Sequence, residues 1–380
     1  MIVIYGATGT TGALVARELV GRGFEVVLSG RDRHRLTHLA RDLSGLEIRP
    51  AQVHDAEEMA AAVRGARVVV ACAGPFLQVG EPTMRAAIEA GAHYLDMCGE
   101  QAFLREAYER FDSPARRAGV VAAPGFAWEV AVGDWAASRA AALCRAQAAA
   151  GGGAPGEAPG EIDELMIGYA LSHVSASAGT RQSLIAALSQ PASVWREDRW
   201  ERVAPLSRTR RIAFPAPFGE LEAFLWPSGE VITTPRHAPA RQVEAYLTVA
   251  EGATPLRAAA RLAGLIGPLL SAAAASPLGA LARAHAGGAA PPDEAARRHI
   301  EFAVIAEATL QFRRTRVAVG GTDPYGLSAR IAALGVERLI GAQARGGPPP
   351  AGVIAPSQLT DPEGSLATLV GEGWLSLAEN

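Results

Sequence analysis

Lysine is absent from this chain of 380 residues, so all 36 of its basic side chains are arginine. Without lysine the protein cannot form a Schiff base, supply a Walker lysine to a nucleotide phosphate, or use a lysine as general base. P-loop chemistry and several aldolase-type and opine-type mechanisms are therefore excluded. Any acid–base chemistry must come from other side chains.

Cysteines and long apolar runs are also scarce. The three cysteines, Cys72, Cys98 and Cys144, are scattered and lack a C-x-x-C spacing, so we expect neither disulfides nor a metal site, and a reducing, cytoplasmic location. No apolar run reaches the roughly 20 residues that span a bilayer. Residues 1–5 lack the basic region of a signal peptide. With a net charge of only −3, we expect a small-molecule substrate and no nucleic-acid partner.

The first 125 residues alternate short apolar runs with helical stretches. Strands are predicted near residue 3 and at 26–28, 47–49, 68–71, 94–96 and 120–122. Helices are predicted between them at 10–21, 33–42, 56–63, 81–90 and 101–111. This rhythm is typical of parallel strands joined by crossover helices. Six such strands predict an α/β Rossmann domain over residues 1–125.

The rest of the chain has a different pattern. Residues 146–160, rich in Ala, Gly and Pro, lack periodicity and predict a flexible insertion. Beyond them, alternating apolar residues predict strands at 165–171, 221–225, 231–233, 243–249, 302–310 and 316–319, and helices at 180–188 and 322–340. We therefore expect an α+β domain over 126–320 on a mostly antiparallel sheet, and a C-terminal segment, 321–380, packing back on the Rossmann domain.

A glycine-rich turn follows the first predicted strand and opens the first predicted helix. Its G-x-x-G-x-x-G motif comprises Gly6, Thr8, Gly9, Thr10, Thr11 and Gly12. Glycines permit a tight turn and close approach of the backbone to a pyrophosphate, which the amides and dipole of the helix N-terminus then attract. The strand–loop–helix order therefore predicts that these residues bind a dinucleotide.

The end of the second predicted strand indicates which dinucleotide is bound. NAD-binding domains usually present an acid there to the ribose hydroxyls, but this strand ends in Ser29, Gly30 and Arg31. A hydroxyl and a guanidinium suit the 2′-phosphate of NADP, with Arg33 as a second contact. Arg31 could instead be a solvated surface residue. Asp55, after the third strand, either contacts the adenine or caps the next helix.

The ends of the fourth and fifth predicted strands lie where nicotinamide and substrate meet in Rossmann enzymes. The fourth strand is followed by residues predicted to line the dinucleotide, Gly74, Pro75 and Phe76. The fifth ends in Tyr94 and Asp96, which are candidate catalytic acid–base groups. Cys98 and Glu100 follow. The alternative is that Asp96 and Glu100 cap the next helix while Cys98 is packed in the core.

Several motifs resemble those of one known family. GATGTTG at 6–12, SGR at 29–31, AGPF at 73–76 and HYLDMCGE at 93–100 resemble the NADP-binding domain of saccharopine dehydrogenase-like proteins, which include trans-acting enoyl reductases. Further similarities occur at 123–126, 234–237, 321–325 and 351–356. The resemblance implies an NADP-dependent oxidoreductase. After Gly125 and Phe126 many relatives have Asp followed by Ser or Pro, but here residues 127–134 read AWEVAVGD, so the resemblance leaves the substrate open.

The second half contains fewer candidate site residues. His237, in the sequence PRHAPAR, could donate a proton to a carbanion or an amine, or could have only a structural role. Arg181, Arg236 and Arg241 could clamp a carboxylate or phosphate, or lie on the surface. Residues 262–286 are apolar but interrupted by two prolines. They predict two short packed helices, or a surface that grips an acyl chain or forms a homodimer.

Three functions are consistent with these features. The first is an NADPH-dependent reductase acting on a C=C or C=O bond of a lipid, polyketide-like or other small biosynthetic intermediate. The second is a C–N oxidoreductase of the saccharopine type, acting on an amino acid adduct. The third is a non-catalytic NADP(H)-binding sensor or scaffold, because no acid–base pair is evident from the sequence. All three use the same cofactor site.

Overall fold

The computed structural model describes residues 1–150, 160–173, 187–188, 190–250, 293–341, 347 and 349–380. These residues form two compact units, and each unit is assembled from two stretches of the chain. Unit 1 comprises Met1–Trp128 and Tyr325–Thr360, and unit 2 comprises Glu129–Pro324 and Asp361–Asn380. The C-terminal segment is thus divided between the units, whereas the sequence led us to expect all of 321–380 on the Rossmann domain.

Unit 1 contains a seven-stranded parallel sheet. Its strands are β1 (Ile2–Tyr5), β2 (Val26–Gly30), β3 (Glu47–Pro50), β4 (Val68–Ala71), β5 (His93–Asp96), β6 (Val121–Ala123) and β15 (Gly352–Val353). The strand order is β15-β6-β5-β4-β1-β2-β3, and every adjacent pair is parallel. This is the predicted Rossmann order, extended by one C-terminal strand. Every residue of β1, β2 and β4 is buried, as expected for a parallel sheet covered on both faces.

Helices connect these strands. They are α1 (Thr10–Gly21), α2 (Arg33–Asp42), α3 (Ala56–Val63), α4 (Phe76–Glu89) and α5 (Gln101–Ala118). The long helix α9 (Pro324–Ile340) packs against the sheet: a Cβ at Gly335 would lie 2.8 Å from the Phe126 ring. Glycine at this position therefore allows the helix to approach closely. The helices begin at the predicted positions except α4, which begins five residues earlier than expected, and α9, which begins two residues later.

Unit 2 is built on a mostly antiparallel sheet. Its strands are β7 (Glu164–Leu171), β8 (Ala192–Arg196), β9 (Arg199–Val203), β10 (Thr209–Ala213), β11 (Glu220–Leu225), β12 (Gln242–Val249), β13 (Glu301–Leu310), β14 (Arg313–Thr322) and β16 (Leu375–Glu379). The main order is β10-β11-β12-β7-β13-β14-β16, and β8 pairs with β12 and β9. Only the β12–β7 pair is parallel among the described pairings. The predicted α+β class is therefore confirmed.

The helices of unit 2 differ from the sequence prediction. They are α6 (Trp128–Ala150), α7 (Glu230–Thr233), a 3-10 turn (Thr234–Arg236), α8 (Glu294–Arg298) and α11 (Pro362–Gly371). The short helix α10 (Pro356–Leu359) belongs to unit 1. Residues 231–233 were predicted as a strand but form one helical turn, whose amides bond locally to Gly229 and Ser228. The β-branched side chains favoured the strand prediction, and local hydrogen bonds override that preference.

Three predicted segments fall partly or wholly outside the described residues. Helix α6 extends through Ala150, so the first five residues of the predicted insertion, 146–150, are helical. Most of the predicted helix at 180–188 and all of residues 262–286 lie outside the described part of the chain. Within that part, no helix combines the length and the apolar character needed to cross a bilayer.

Candidate functional site

The N-terminus of α1 lies at the glycine-rich loop and has backbone amides that no side chain caps. The first backbone hydrogen bond of α1 runs from the Ala13 amide to the Gly9 carbonyl, so the preceding amides have no acceptor within the helix. No side chain caps this end, and no acidic residue lies in its first turn. The positive end of the helix dipole is therefore not neutralised by the protein and can attract a phosphate.

The glycines of this loop are required by the local packing. Gly6 has a φ of +81°, and a Cβ there would lie 2.6 Å from the Ala73 nitrogen. A Cβ on Gly12 would lie 2.3 Å from the Gly6 carbonyl oxygen. Gly9 is exposed, and a Cβ there would lie 3.3 Å from the Gly6 carbonyl oxygen, so this position has more room. The loop thus presents bare backbone, with the predicted Thr8, Thr10 and Thr11 half-buried beside it.

The end of β2 differs from the sequence prediction. Ser29 is fully buried, and its hydroxyl donates to the Arg49 carbonyl of β3 at 2.7 Å. That hydroxyl is therefore not available to a cofactor phosphate, because the strand pairing turns it into the sheet. Arg31 is exposed, as a phosphate contact requires. Asp32 caps α2 by accepting the Arg35 amide at 3.0 Å.

One cation near the loop was missed by the sequence analysis. Arg35, in the first turn of α2, donates from Nη2 to the Thr8 carbonyl at 2.9 Å. Its position could have been inferred, because helical side chains tilt toward the helix N-terminus. The sequence analysis considered Arg33 instead.

Asp55 caps a helix. Its Oδ1 accepts the amides of Glu57 and Glu58, both at 3.0 Å, at the start of α3. The sequence left open whether Asp55 contacts the adenine or caps the next helix, and the structure shows the cap. No adenine contact is needed to explain the residue.

The N-terminus of α4 contrasts with that of α1. The amides of Phe76 and Leu77 donate to the two carboxylate oxygens of Glu100 at 2.9 and 3.1 Å. An internal carboxylate therefore already occupies this helix end. Phe76 is buried against Phe103, whereas Gly74 is exposed and Pro75 half-buried. Of the predicted Gly74–Pro75–Phe76 lining, only the first two have surface to offer a ligand.

Tyr94 and Asp96, predicted as catalytic groups, are both fully buried. Asp96 Oδ1 accepts the amides of Cys98 at 2.9 Å and Gly125 at 2.8 Å, so it ties the end of β5 to the end of β6. Burial raises the pKa of Asp96 to about 7 and the pKa of Tyr94 well above its usual value. Neither side chain reaches the surface where a substrate could bind. Their placement supports a structural role, because the loop amides there need buried acceptors.

In unit 2, His237 has an acidic partner. Its Nε2 lies 2.8 Å from Oδ1 of Asp134, a fully buried residue of α6. The same oxygen accepts from the Thr233 hydroxyl at 2.5 Å and from the Thr234 hydroxyl at 3.4 Å. The His237 side chain is 9% exposed, and its buried Nδ1 has no hydrogen-bond partner in the described part of the chain. Asp134 was missed because 103 residues separate it from His237.

A second buried acid lies close to this pair. Glu230 is fully buried and accepts from the Ser228 hydroxyl at 2.5 Å. Burial raises the pKa of Glu230 to about 8. Tyr169 donates its hydroxyl to the Glu129 carbonyl at 2.7 Å, and Gly133 leaves the space that this phenol occupies. Unit 2 therefore contains a buried polar cluster, and its hydrogen bonds orient His237.

The candidate arginine clamp is not assembled in the described residues. Arg236 stacks over the Trp200 ring at 5.5 Å and donates to the Ile232 carbonyl. Arg241 is exposed and faces Glu161 at 3.7 Å. Arg181 lies outside the described residues. Within the described ranges, no group of three or more His, Cys, Asp and Glu side chains is arranged to hold a metal ion.

Comparison with known proteins gives a family match for the N-terminal domain and relatives that match about a third of the chain. Residues 2–123 match the family described as the saccharopine dehydrogenase NADP binding domain. A trans-acting enoyl reductase of Mycobacterium ulcerans is 35% identical over 136 residues, 33% of this chain and 32% of that protein. A lipid droplet localized protein of Caenorhabditis elegans is 30% identical over 140 residues, 34% of this chain and 33% of that protein. The aligned region thus spans about a third of each relative.

The whole chain is similar in fold to one solved structure. Apo saccharopine dehydrogenase (L-Glu forming) from Saccharomyces cerevisiae matches with a TM-score of 0.62, covering 100% of this chain and 99% of that one. The sequence identity is 12%. This similarity is one of fold: a Rossmann domain combined with a second domain on a mixed sheet.

Proposed function

We propose that this chain is an NADPH-dependent reductase of a C=C or C=O bond in an apolar, acyl-bearing molecule. Its residues 2–123 match the family of saccharopine dehydrogenase NADP-binding domains. The observation that carries the proposal is the α1 N-terminus, which has a bare glycine loop and no internal anion. A dinucleotide phosphate is the ligand that such a helix end attracts. The relatives named trans-acting enoyl reductase support the substrate class.

Several residues of unit 1 fit the cofactor. The amides at the start of α1 would hold the pyrophosphate, and exposed Arg31 would neutralise the 2′-phosphate. Exposed Gly74 would offer backbone to the dinucleotide. Bound NADPH supplies the hydride, so the remaining task of the chain is to place a proton on the product.

His237 is the proton donor in this proposal. Asp134 Oδ1 lies 2.8 Å from Nε2 and orients the ring. The other ring nitrogen, Nδ1, has no hydrogen-bond partner in the described residues. Asp134 is a positioning residue, since it acts through His237. Tyr94 and Asp96 are less suited because both are fully buried, whereas the His237 side chain is 9% exposed. Asp96 is also bonded to loop amides.

The test follows NADPH consumption by the full-length protein. One panel contains enoyl thioesters, enones and ketones, and a second contains 2-oxo acids with amino acids. Turnover in the first panel is the expected result. Turnover confined to the second panel would replace the proposal with C–N chemistry, and NADPH binding without turnover in either would favour a sensor or scaffold.

Variants test the proton donor. His237→Gln should lower kcat by about 100-fold or more, a typical loss when a general acid is removed. Asp134→Asn should lower kcat, because His237 loses the carboxylate that orients its ring. His299→Gln, at an exposed histidine of the same unit, is the matched control and should retain wild-type activity. Wild-type kcat in His237→Gln would overturn the assignment.

A further inference from the structure

The side chain of Arg35 is held beside the glycine-rich loop. Arg35 is the third residue of α2, and its guanidinium reaches back to donate from Nη2 to the Thr8 carbonyl at 2.9 Å. It is otherwise exposed, so the remaining N–H donors face solvent. A guanidinium already fixed at one point loses less rotational freedom when it binds an anion.

The other polar groups near the end of β2 are committed elsewhere. The Ser29 hydroxyl donates to the Arg49 carbonyl inside the sheet. Oδ1 of Asp32 accepts the Arg35 amide as the cap of α2. Beside these groups, the exposed Arg31 and Arg35 have N–H donors available to an anionic ligand.

Arg33 and Arg35 differ in their contacts. Both are exposed residues of the first turn of α2. The Arg33 guanidinium makes no hydrogen bond or ion pair to any described residue, whereas Arg35 touches the loop that would bind the pyrophosphate. The ribose phosphate of an adenine dinucleotide must lie between that loop and the end of β2, because those two elements bracket the adenosine half in Rossmann domains.

We infer that Arg35, together with Arg31, binds the 2′-phosphate of NADP(H) and makes the protein prefer NADPH to NADH. This inference rests on the cofactor part of the proposed function and is independent of substrate and hydride transfer. Arg35 acts as a fork in which one N–H donates to the Thr8 carbonyl while the others donate to the phosphate oxygens. Its contribution is therefore specific to ligands that carry the 2′-phosphate.

Binding calorimetry on the full-length protein tests the inference with two probes, adenosine 2′,5′-bisphosphate and ADP. Arg35→Met should weaken the binding of the bisphosphate by about tenfold or more, because one charge-assisted hydrogen bond is lost. ADP, which lacks the 2′-phosphate, should bind with an unchanged Kd. Arg33→Met is the matched control and should leave both affinities unchanged. Arg35→Lys should recover part of the loss, since it restores the charge without the fork.

Each alternative outcome is informative. Unchanged bisphosphate affinity in Arg35→Met, or an equal loss in Arg33→Met, would overturn the inference while leaving the reductase proposal intact. An equal loss for both probes would show that Arg35 only supports the Thr8 loop, and would also overturn it. If the wild-type protein bound neither the bisphosphate nor NADPH, both this inference and the proposed function would fail.

Discussion

The contact between Gly133 and Tyr169 shows how one residue in a helix positions a buried polar cluster. A Cβ on Gly133 would lie 1.9 Å from the Tyr169 hydroxyl oxygen, although alanine is intrinsically the better helix former by about 1 kcal/mol. Overpacking of a buried site typically costs about 1–3 kcal/mol. The steric cost should exceed the propensity gain, because the phenol would also lose its bond to Glu129.

We therefore expect Gly133→Ala to lower the free energy of unfolding by about 1–3 kcal/mol in urea titrations. Tyr169→Phe removes the clashing oxygen, so a double-mutant cycle should show a smaller cost of Gly133→Ala in that background. Strict additivity of the two substitutions would contradict the contact.

The carboxyl group of Glu230 makes the stability of the protein depend on pH. Burial raises its pKa from an ordinary 4.5 to about 8. Between these two values the folded protein holds a proton that the unfolded chain has released, so raising the pH through this window lowers the free energy of unfolding. Asp96 acts in the same direction, because its pKa is raised to about 7.

Glu230→Gln, which cannot ionise, should therefore gain stability relative to wild type as the pH is raised from 5 to 8. Urea unfolding at closely spaced pH values measures the difference, and comparison with wild type cancels the contribution of Asp96. Glu301→Gln, at an exposed glutamate of the same unit, should follow the wild-type profile. Parallel profiles for wild type and Glu230→Gln would show that Glu230 does not titrate in this window.

Two helix N-termini in unit 1 have similar backbone geometry but different electrostatics. The α4 N-terminus is neutralised by Glu100, whereas the α1 N-terminus has neither a cap nor an acid. An external phosphate would compete with Glu100 at α4 but meets no internal anion at α1. The difference explains why only α1 is assigned to the pyrophosphate.

At the scale of helices and loops, we predict that Gly12→Ala weakens the binding of NADPH by at least about tenfold. This loss is equivalent to one charge-assisted hydrogen bond. The added Cβ would lie 2.3 Å from the Gly6 carbonyl and would displace the loop. Gly21→Ala, at the other end of α1, meets no atom within 4 Å and serves as the control with unchanged affinity. Fluorescence titration of NADPH gives both values, and equal affinities for the two variants would contradict the assignment of the loop.

The two compact units are each formed from discontinuous stretches of chain. The backbone passes between them after Trp128, after Pro324 and after Thr360. A ligand that binds folded unit 1 must therefore stabilise a unit that includes residues far apart in sequence. Stabilisation by binding depends only on affinity and concentration when the unfolded chain does not bind.

For the whole molecule we expect NADPH at 100 times its Kd to add about 2.7 kcal/mol to the unfolding free energy of the unit that binds it. NADH at the same concentration should add less, because it lacks the 2′-phosphate. Differential scanning calorimetry with each cofactor measures the shift in the unfolding transition. Equal shifts with both cofactors would contradict the predicted preference.

The sequence by itself determined the Rossmann domain and its glycine loop. Both depend on local patterns: parallel strands have buried apolar runs, and the loop needs glycine where backbone meets backbone, as at Gly6 and Gly12. The class of the second domain was also predictable from the alternation along β7, β12 and β13. The expectation that these strands are half-buried was wrong, because most residues on both of their faces are buried.

Only the tertiary structure decided which polar groups are available. Ser29 and Asp96 have residue types suited to a site, but the Ser29 hydroxyl donates within the sheet and Asp96 Oδ1 accepts loop amides. Conversely, Asp134 becomes the partner of His237 through packing across 103 residues. The sequence pattern indicates the chemistry of a side chain and the local structure of its backbone. Its burial and its partners depend on distant segments, and these determine whether it can act on a ligand.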